Sequence, residues 1–171
     1  MLYKLLSLLL DYPDAQLLAH LDELREAVDE LGDLSERDHS TLHAFIDHLA
    51  ASDATDVAAA YVGTFDMAAE HSLHLTHHLF GDDKNRGPAL IDLGEYYKNW
   101  GLTVADNELP DYLPLLLEFA STLDEQQATV FLGDMVKVLG VLADNLERAE
   151  SPYAPLVRIV EKRGHLSQLP L

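Results

Sequence analysis

Cysteine is missing from all 171 residues. That absence removes disulfides, thiolate zinc sites, iron–sulfur ligation and thiol nucleophiles together, leaving histidine and carboxylate as the metal-binding side chains. Positive charge is scarce: 11 Lys and Arg stand against 30 Asp and Glu, a formal net charge of -19. A surface of that sign repels nucleic-acid phosphates and anionic lipids and attracts basic partners, or serves solubility by itself. Long apolar runs are missing too. The leucine-rich start, MLYKLLSLLL, is cut at Asp11 and Pro13, short of the roughly 18 apolar residues a membrane span needs. No small-residue cleavage site follows it, so a buried first helix, a cytoplasmic location and no stable membrane insertion are expected. Phosphate-loop, GxSxG and strand-borne GxGxxG patterns do not occur, which leaves nucleotide hydrolysis, serine hydrolysis and dinucleotide chemistry without their minimum parts.

What is present is helical periodicity. With 48% hydrophobic and 24% charged residues, the chain is an ordinary globular one, long enough to bury a core as one domain over residues 1–171. Apolar stripes run through Leu2, Leu5, Leu6 and Leu9, then from Leu17 to Leu31 up to Gly32, then through Leu42, Phe45, Ile46 and Leu49 behind a Ser35–Asp38 cap, and through Val57, Tyr61 and Phe65 behind Asp53. A helix around 71–80 stops at Gly81. Pro88 suits the first position of the next, which ends at Gly101, and after a linker of about seven residues Pro110 and Pro114 bracket the turn into LLLEFAS. The longest helix is expected from about Asp124 to Arg148, with Gly133 and Gly140 permitting close packing, and a last one ends near Gly164. Together these predict an all-α, single-domain bundle of about eight to nine helices.

Chemistry concentrates in HSLHLTHHLFGDDKNRG. His74 and His78 fall on one helical face, with His71 and Asp82 near, a set able to hold a divalent ion and thus to serve a histidine-dependent metal hydrolase. Against that reading, Leu75 stands where an HExxH protease has its general base, and no thiolate is present. Glu36 and His39 make one ExxH; a di-iron bundle needs two and two further glutamates. No metal, no catalytic residue and no cofactor of its own is therefore expected.

The remaining specific features carry no catalytic logic. Tyr61 to Asp66 (YVGTFD), Ser72 and Leu73 with Leu75, Gly81 and Asp82 followed by Arg86 and Gly87, Tyr97 and Gly101, and Glu108 to Phe119 (ELPDYLPLLLEF) occur in that order, behind an opening helix that ends in DYPDA at 11–15. This pattern, across nearly the whole chain, resembles the nitrate reductase molybdenum cofactor assembly chaperones, the delta subunit family. Related chaperones of dimethyl sulfoxide and trimethylamine oxide reductases share the helical fold without the long motif. Two departures stand out: some members continue well past the last helix, whereas the last residue here is Leu171, and others carry different side chains at His74, His77 and His78.

The resemblance implies a non-enzymatic chaperone that binds the unmatured catalytic (alpha) subunit of respiratory nitrate reductase through that subunit's N-terminal segment and a second site. It would keep the subunit competent for molybdenum cofactor and iron–sulfur insertion before membrane docking, with cofactor delivery proteins as further partners and no nucleic acid. Another molybdoenzyme of the dimethyl sulfoxide reductase family is the alternative client, and a purely structural helical adaptor a further one. The residues suggest a groove for an amphipathic client helix, with Leu75, Leu79, Tyr112, Leu113 and Leu116 as floor and Asp66, Asp82, Glu108, Asp111 and Glu118 as acidic rim. On that reading Asp111 and Glu118 are exposed, and their removal costs little stability. Arg86 is expected to tie its loop to one of those carboxylates. Charge of this sign steers a basic segment inward, so raising salt from about 0.1 M to about 1 M, which shrinks the screening length from about 10 to about 3 Å, slows client association several-fold in stopped-flow while dissociation changes little. An association rate flat across that range assigns the acidity to solubility alone.

Overall fold

Nine residues with only Lys4 and Ser7 as polar members form α1 (Leu2–Leu10), and Leu5, Leu6, Leu9 and Leu10 are all but inaccessible. A helix so apolar must be covered on most sides. In the computed structural model, which describes residues 1–168, its largest partner is α8 (Leu113–Ala120), whose Leu113, Leu116, Leu117 and Ala120 are equally buried. The two run antiparallel, pinned by Lys4 to Glu118 (2.5 Å), by the buried Ser7 hydroxyl donating to the Pro114 carbonyl (2.7 Å), and by Tyr112 donating to Asp11 (2.9 Å).

Between and around this pair lie α2 (Ala15–Ala19), α3 (Leu21–Asp29), α4 (Glu36–Ala51), α5 (Ala54–Phe65), a 3₁₀ turn at Ala69–His71, α6 (Leu75–Phe80) and α7 (Arg86–Asn99). After α8 come α9 (Glu125–Gly133), α10 (Val136–Arg148), α11 (Ala154–His165) and a 3₁₀ turn at Leu166–Gln168. The fold is all-α; among the described residues the one β-type contact is an isolated bridge between His74 and Tyr112. One apolar core joins α1, α3–α5 and α8–α11, with Phe45, Tyr61, Phe65 and Tyr153 as an aromatic cluster, ring centroids 4.8–5.7 Å apart. No described helix is long and apolar enough to cross a membrane.

Among the described residues eleven α-helices replace the eight or nine expected, because two of the anticipated helices are broken. The stripe from Leu17 to Leu31 is interrupted at His20, whose backbone N–H closes back on Leu17. The segment from Asp124 to Arg148 breaks after Gly133, so α4, at 16 residues, is the longest helix. Leu132, Val136, Leu139 and Ala143 stay in helical phase across that second break, so periodicity alone cannot reveal it. The helix expected near 71–80 begins only at Leu75, and α7 begins at Arg86, which makes Pro88 its third residue; its missing N–H is still one of the unpaired first-turn donors. Gly81 and Gly101 end their helices with φ of +54° and +78°, a region side-chain-bearing residues avoid.

Close packing, expected at Gly133 and Gly140, is real at Gly133, where a Cβ would run into Ser167, and mild at Gly140, where it would meet only the tip of Glu161 at 3.0 Å. The tightest approach against backbone is at Gly164, where a Cβ would lie 2.8 Å from the Leu132 carbonyl oxygen and 2.6 Å from Val136. Gly164→Ala is expected to destabilise by about 1–3 kcal/mol, because α9 and α11 must separate. Gly140→Ala is expected to be neutral or stabilising by up to about 1 kcal/mol through helix propensity. Urea unfolding of both variants checks this ordering.

Candidate functional site

Two distant segments meet to build the polar centre of the molecule. Leu75 donates its N–H to the Asp111 carbonyl (3.1 Å) and Leu113 donates to that of Leu73 (2.9 Å), so 73–75 and 111–113 lie side by side. The short α6 has no cap of its own; Asp111 supplies one from across the chain, accepting from the Thr76 N–H (3.0 Å) and the Thr76 hydroxyl (2.6 Å). His74 approaches the same carboxylate at 3.4 Å, and Arg86, which donates to the Thr76 hydroxyl, has a nitrogen 3.9 Å from it. Burial by itself raises the Asp111 carboxyl, but the hydrogen bonds from His74 and Thr76 outweigh it and hold the group below the ordinary carboxylate range. Next along the chain, Tyr112 stacks on His74, with centroids 5.1 Å apart, and its hydroxyl sits between Asp11 and the hydroxyl of Tyr61, 2.8 Å away. Burial drives both tyrosines well above the ordinary phenol range, so neither ionises near neutral pH.

This arrangement revises the expected groove. Asp111 is 1% exposed and Leu75, Leu113 and Leu116 are 4%, 0% and 1% exposed, so none of the four presents a surface. The same spacing that marks a groove floor marks a core, and here α1 packs over Leu113 and Leu116 while α10 and α7 lie against α6. Tyr112 is half-buried, whereas Leu79, Asp66, Asp82, Glu108 and Glu118 are exposed. Arg86 does tie its loop to a carboxylate, that of Asp111. The histidines are not assembled for a metal. His74 precedes α6 rather than sharing a face of it with His78, and His71 has both ring nitrogens facing backbone carbonyls, of Thr64 (3.0 Å) and Asn145 (3.3 Å). His78 is held by the Ser72 carbonyl (2.7 Å), and burial lowers its pKa below the ordinary histidine value. Among the described residues no three His, Asp or Glu side chains are grouped to hold an ion.

The open surfaces lie elsewhere. A cleft of about 270 Å³ between α8 and the 102–104 linker is lined by Tyr97, Leu102, Val104, Leu115 and Phe119, with Glu118 at its edge. Around it an aromatic cluster of Tyr96, Trp100, Phe119 and Phe131 reaches the surface, Trp100 being 45% exposed. At the C-terminal end of α1, a cleft of about 560 Å³ has Leu8, Tyr12, Leu17 and Leu24 as apolar lining and Asp11, Asp14 and Glu23 as carboxylates. The sequence signals were present: Leu102 and Val104 stand in an otherwise polar linker, and Tyr12 and Asp14 stand in the DYPD turn. Neither was assigned to a site.

Among the described residues the one deeply buried carboxylate serves as a helix cap, and these two clefts pair apolar lining with acidic edges, a composition suited to seating an amphipathic segment. The nitrate reductase delta subunit family matches residues 14–158, and the chain belongs to that family. It is 37% identical over 158 residues to the nitrate reductase molybdenum cofactor assembly chaperone NarJ of Escherichia coli K12, covering 92% of this chain and 67% of that protein. It is 32% identical over 158 residues to the probable chaperone of the same name in Bacillus subtilis, 92% of this chain and 85% of that one. It is also 32% identical over 161 residues to the nitrate reductase-like protein NarX of Mycobacterium tuberculosis, of which it spans 24%.

Asp111 and Glu118, expected to behave alike, should now differ. Asp111→Ala strands the Thr76 donors and Arg86 and is expected to cost about 2–3 kcal/mol, whereas Glu118→Ala at the surface changes stability by about 0.5 kcal/mol or less. Because the folded carboxyl is held low, its contribution is present above the unfolded value near about 3.9 and is lost as pH falls towards the folded value. Acid melting of the wild type should therefore be steeper below about pH 4 than that of Asp111→Ala.

Proposed function

We propose that this protein is a cytoplasmic, non-catalytic assembly chaperone for respiratory nitrate reductase. It binds the unmatured catalytic subunit by its N-terminal segment, keeps it open to molybdenum cofactor and iron–sulfur insertion, and withholds it from membrane docking until those steps finish. Proteins that deliver the cofactor are the further partners. Family membership and the names of the relatives support the client; the observation that carries the mechanism is the aromatic cleft beside α8. Leu102, with the half-buried Val104 and Leu115, offers apolar contact next to Glu118, on a molecule with 19 excess negative charges. An amphipathic helix with basic residues fits such a surface: its apolar face is buried at roughly 25 cal/mol per Å² and its cations meet the acidic edge.

Calorimetric titration of the protein with a peptide of the client's first residues tests the reading. Val104→Asp or Leu102→Asp, which place a charge in the cleft, are expected to weaken binding by about tenfold or more, about 1.4 kcal/mol. Leu102 is exposed, so the thermal stability of Leu102→Asp should stay near that of the wild type, whereas Val104 packs half-buried against the core and Val104→Asp is expected to cost about 1–3 kcal/mol of stability as well. Unaltered affinity in both variants removes this cleft from the site.

A further inference from the structure

We propose that α7 is a strap that melts and swings off the bundle while the other helices stay folded, joining two apolar clefts into one aromatic trough. This goes beyond the chaperone reading and concerns the free protein, so its failure leaves that reading where it stands. Of the 14 residues of α7 only Tyr97 is buried, whereas α10, with 13, buries six. Its main backbone neighbour is the six-residue α6. A helix of this length is marginal in water by itself, and this one carries Gly87, Pro88 and Gly94, the residue types least suited to a helix. Packing does not require the glycines: an added Cβ would meet nothing within 4 Å at either, in contrast to Gly164.

Two anchors of unequal strength hold the strap. At its start Arg86 donates to the Thr76 hydroxyl (3.0 Å) beside the Asp111 carboxylate, a charge-assisted contact that serves as the pivot. At its end the Tyr97 hydroxyl donates to the Pro110 carbonyl (2.7 Å), and the rings of Tyr96, Tyr97 and Trp100 rest on Phe119 and Phe131. Beyond that end Gly101, with φ of +78°, leads into a linker in which Val104 is the one side chain before Pro110 that is not exposed. Residues 101–109 extend to roughly 30 Å, slack enough to release the end from its seat. The last turn of α7 stands between two clefts. One is the aromatic cleft of Tyr97, Leu115 and Phe119; the other, of about 310 Å³, is lined by Tyr96, Trp100, Leu123, Val130 and Phe131. Phe119 and Phe131, one in each, meet edge to face with centroids 4.9 Å apart, and both are buried. Withdrawal of the three α7 rings therefore merges the clefts over a floor of Leu115, Phe119, Leu123 and Phe131. Wetting that floor is unfavourable, so the strap is closed at rest and the open form is a minor state.

Native-state hydrogen exchange on the full chain tests this. Helical amides of residues 90–99 are expected to exchange about a hundredfold or more faster than those of α1 and α10, with little dependence on denaturant. Equal protection in the three helices overturns the proposal. Ile46→Val, a mild truncation in the α4 core, should speed exchange in α1 about fivefold and leave α7 unchanged, because the open form keeps that core. An equal acceleration in α7 would mean that it opens only by global unfolding, and the strap is then excluded. Gly94→Ala fits the closed form and favours helix over melted chain, so it should slow α7 exchange about fourfold; no slowing excludes melting. The trough has its own readout. Tyr97→Ala removes the one buried anchor and populates the open form, so emission of Trp100, the single tryptophan, should move to the red. Nile red, an uncharged apolar dye, should then bind at one site, lost on adding either Leu115→Asp or Leu123→Asp. Two sites, each lost with one substitution, or no dye binding beyond that of the wild type, overturn the single trough.

Discussion

The contact on which the rest of the site depends is the Asp111 carboxylate against the first turn of α6. Its partners come from three elements: Thr76 in α6, Arg86 at the start of α7, and His74 in the preceding loop. A charge removed from water this completely is tolerated only when its lone pairs are filled, and here several donors do so. The consequence is geometric. Fixing Asp111 fixes Pro110, whose carbonyl accepts from the Tyr97 hydroxyl (2.7 Å), and Tyr112, whose hydroxyl reaches Asp11. One wall of each cleft is thereby set: Tyr97 belongs to the aromatic one and Asp11 to the acidic one. The buried carboxylate thereby helps determine where both clefts lie.

The packing of α1 on α8 explains why the clefts lie beside a leucine core rather than over it. Leu6, Leu10, Leu113 and Leu117 are sealed against one another at 0% exposure, which leaves only the outward edges of the two helices free. At those edges the side chains change to Lys4, Leu8, Leu115 and Glu118, half apolar and half charged. A surface of that mixed composition gains from covering by a helix of matching character, yet is polar enough to remain in water without one.

Much of the fold was legible in the sequence. The stripes of α1, α4 and α5, the caps at Ser35 and Asp53, and the stops at Gly81 and Gly101 all followed from local chemistry, and the structure has them. The breaks at His20 and after Gly133 were hidden because the apolar phase continues through both. The site was less legible, for a different reason. Periodicity says that Leu75, Leu113 and Leu116 face something apolar, but not whether that is another helix of the same chain or a client. Asp111 read as an exposed acid because it sits between Pro110 and Tyr112 in a polar stretch; its burial arises from pairing with residues some 35 positions earlier, which no local pattern encodes. Leu102 and Val104 were passed over because two isolated apolar residues in a linker form no period.

Charge in this molecule is divided between two tasks. Of the 11 Lys and Arg residues, Lys4, Arg25, Arg86, Lys98, Arg158, Lys162 and Arg163 all sit within ion-pair distance of a carboxylate. Arg158 alone engages Asp144, Glu147 and Glu161, clamping α10 to α11. Apart from Lys98, which pairs with Glu95 within α7, the scarce cations therefore act as short-range staples between elements, where proximity compensates for the modest strength of a surface pair. Most carboxylates remain unmatched, and their fields add at distances where the staples look neutral. Long-range attraction for a basic segment and short-range cohesion of the bundle are thus carried by different residues. On the proposed reading, surface carboxylates can attract a basic client segment without loosening the helices of the bundle.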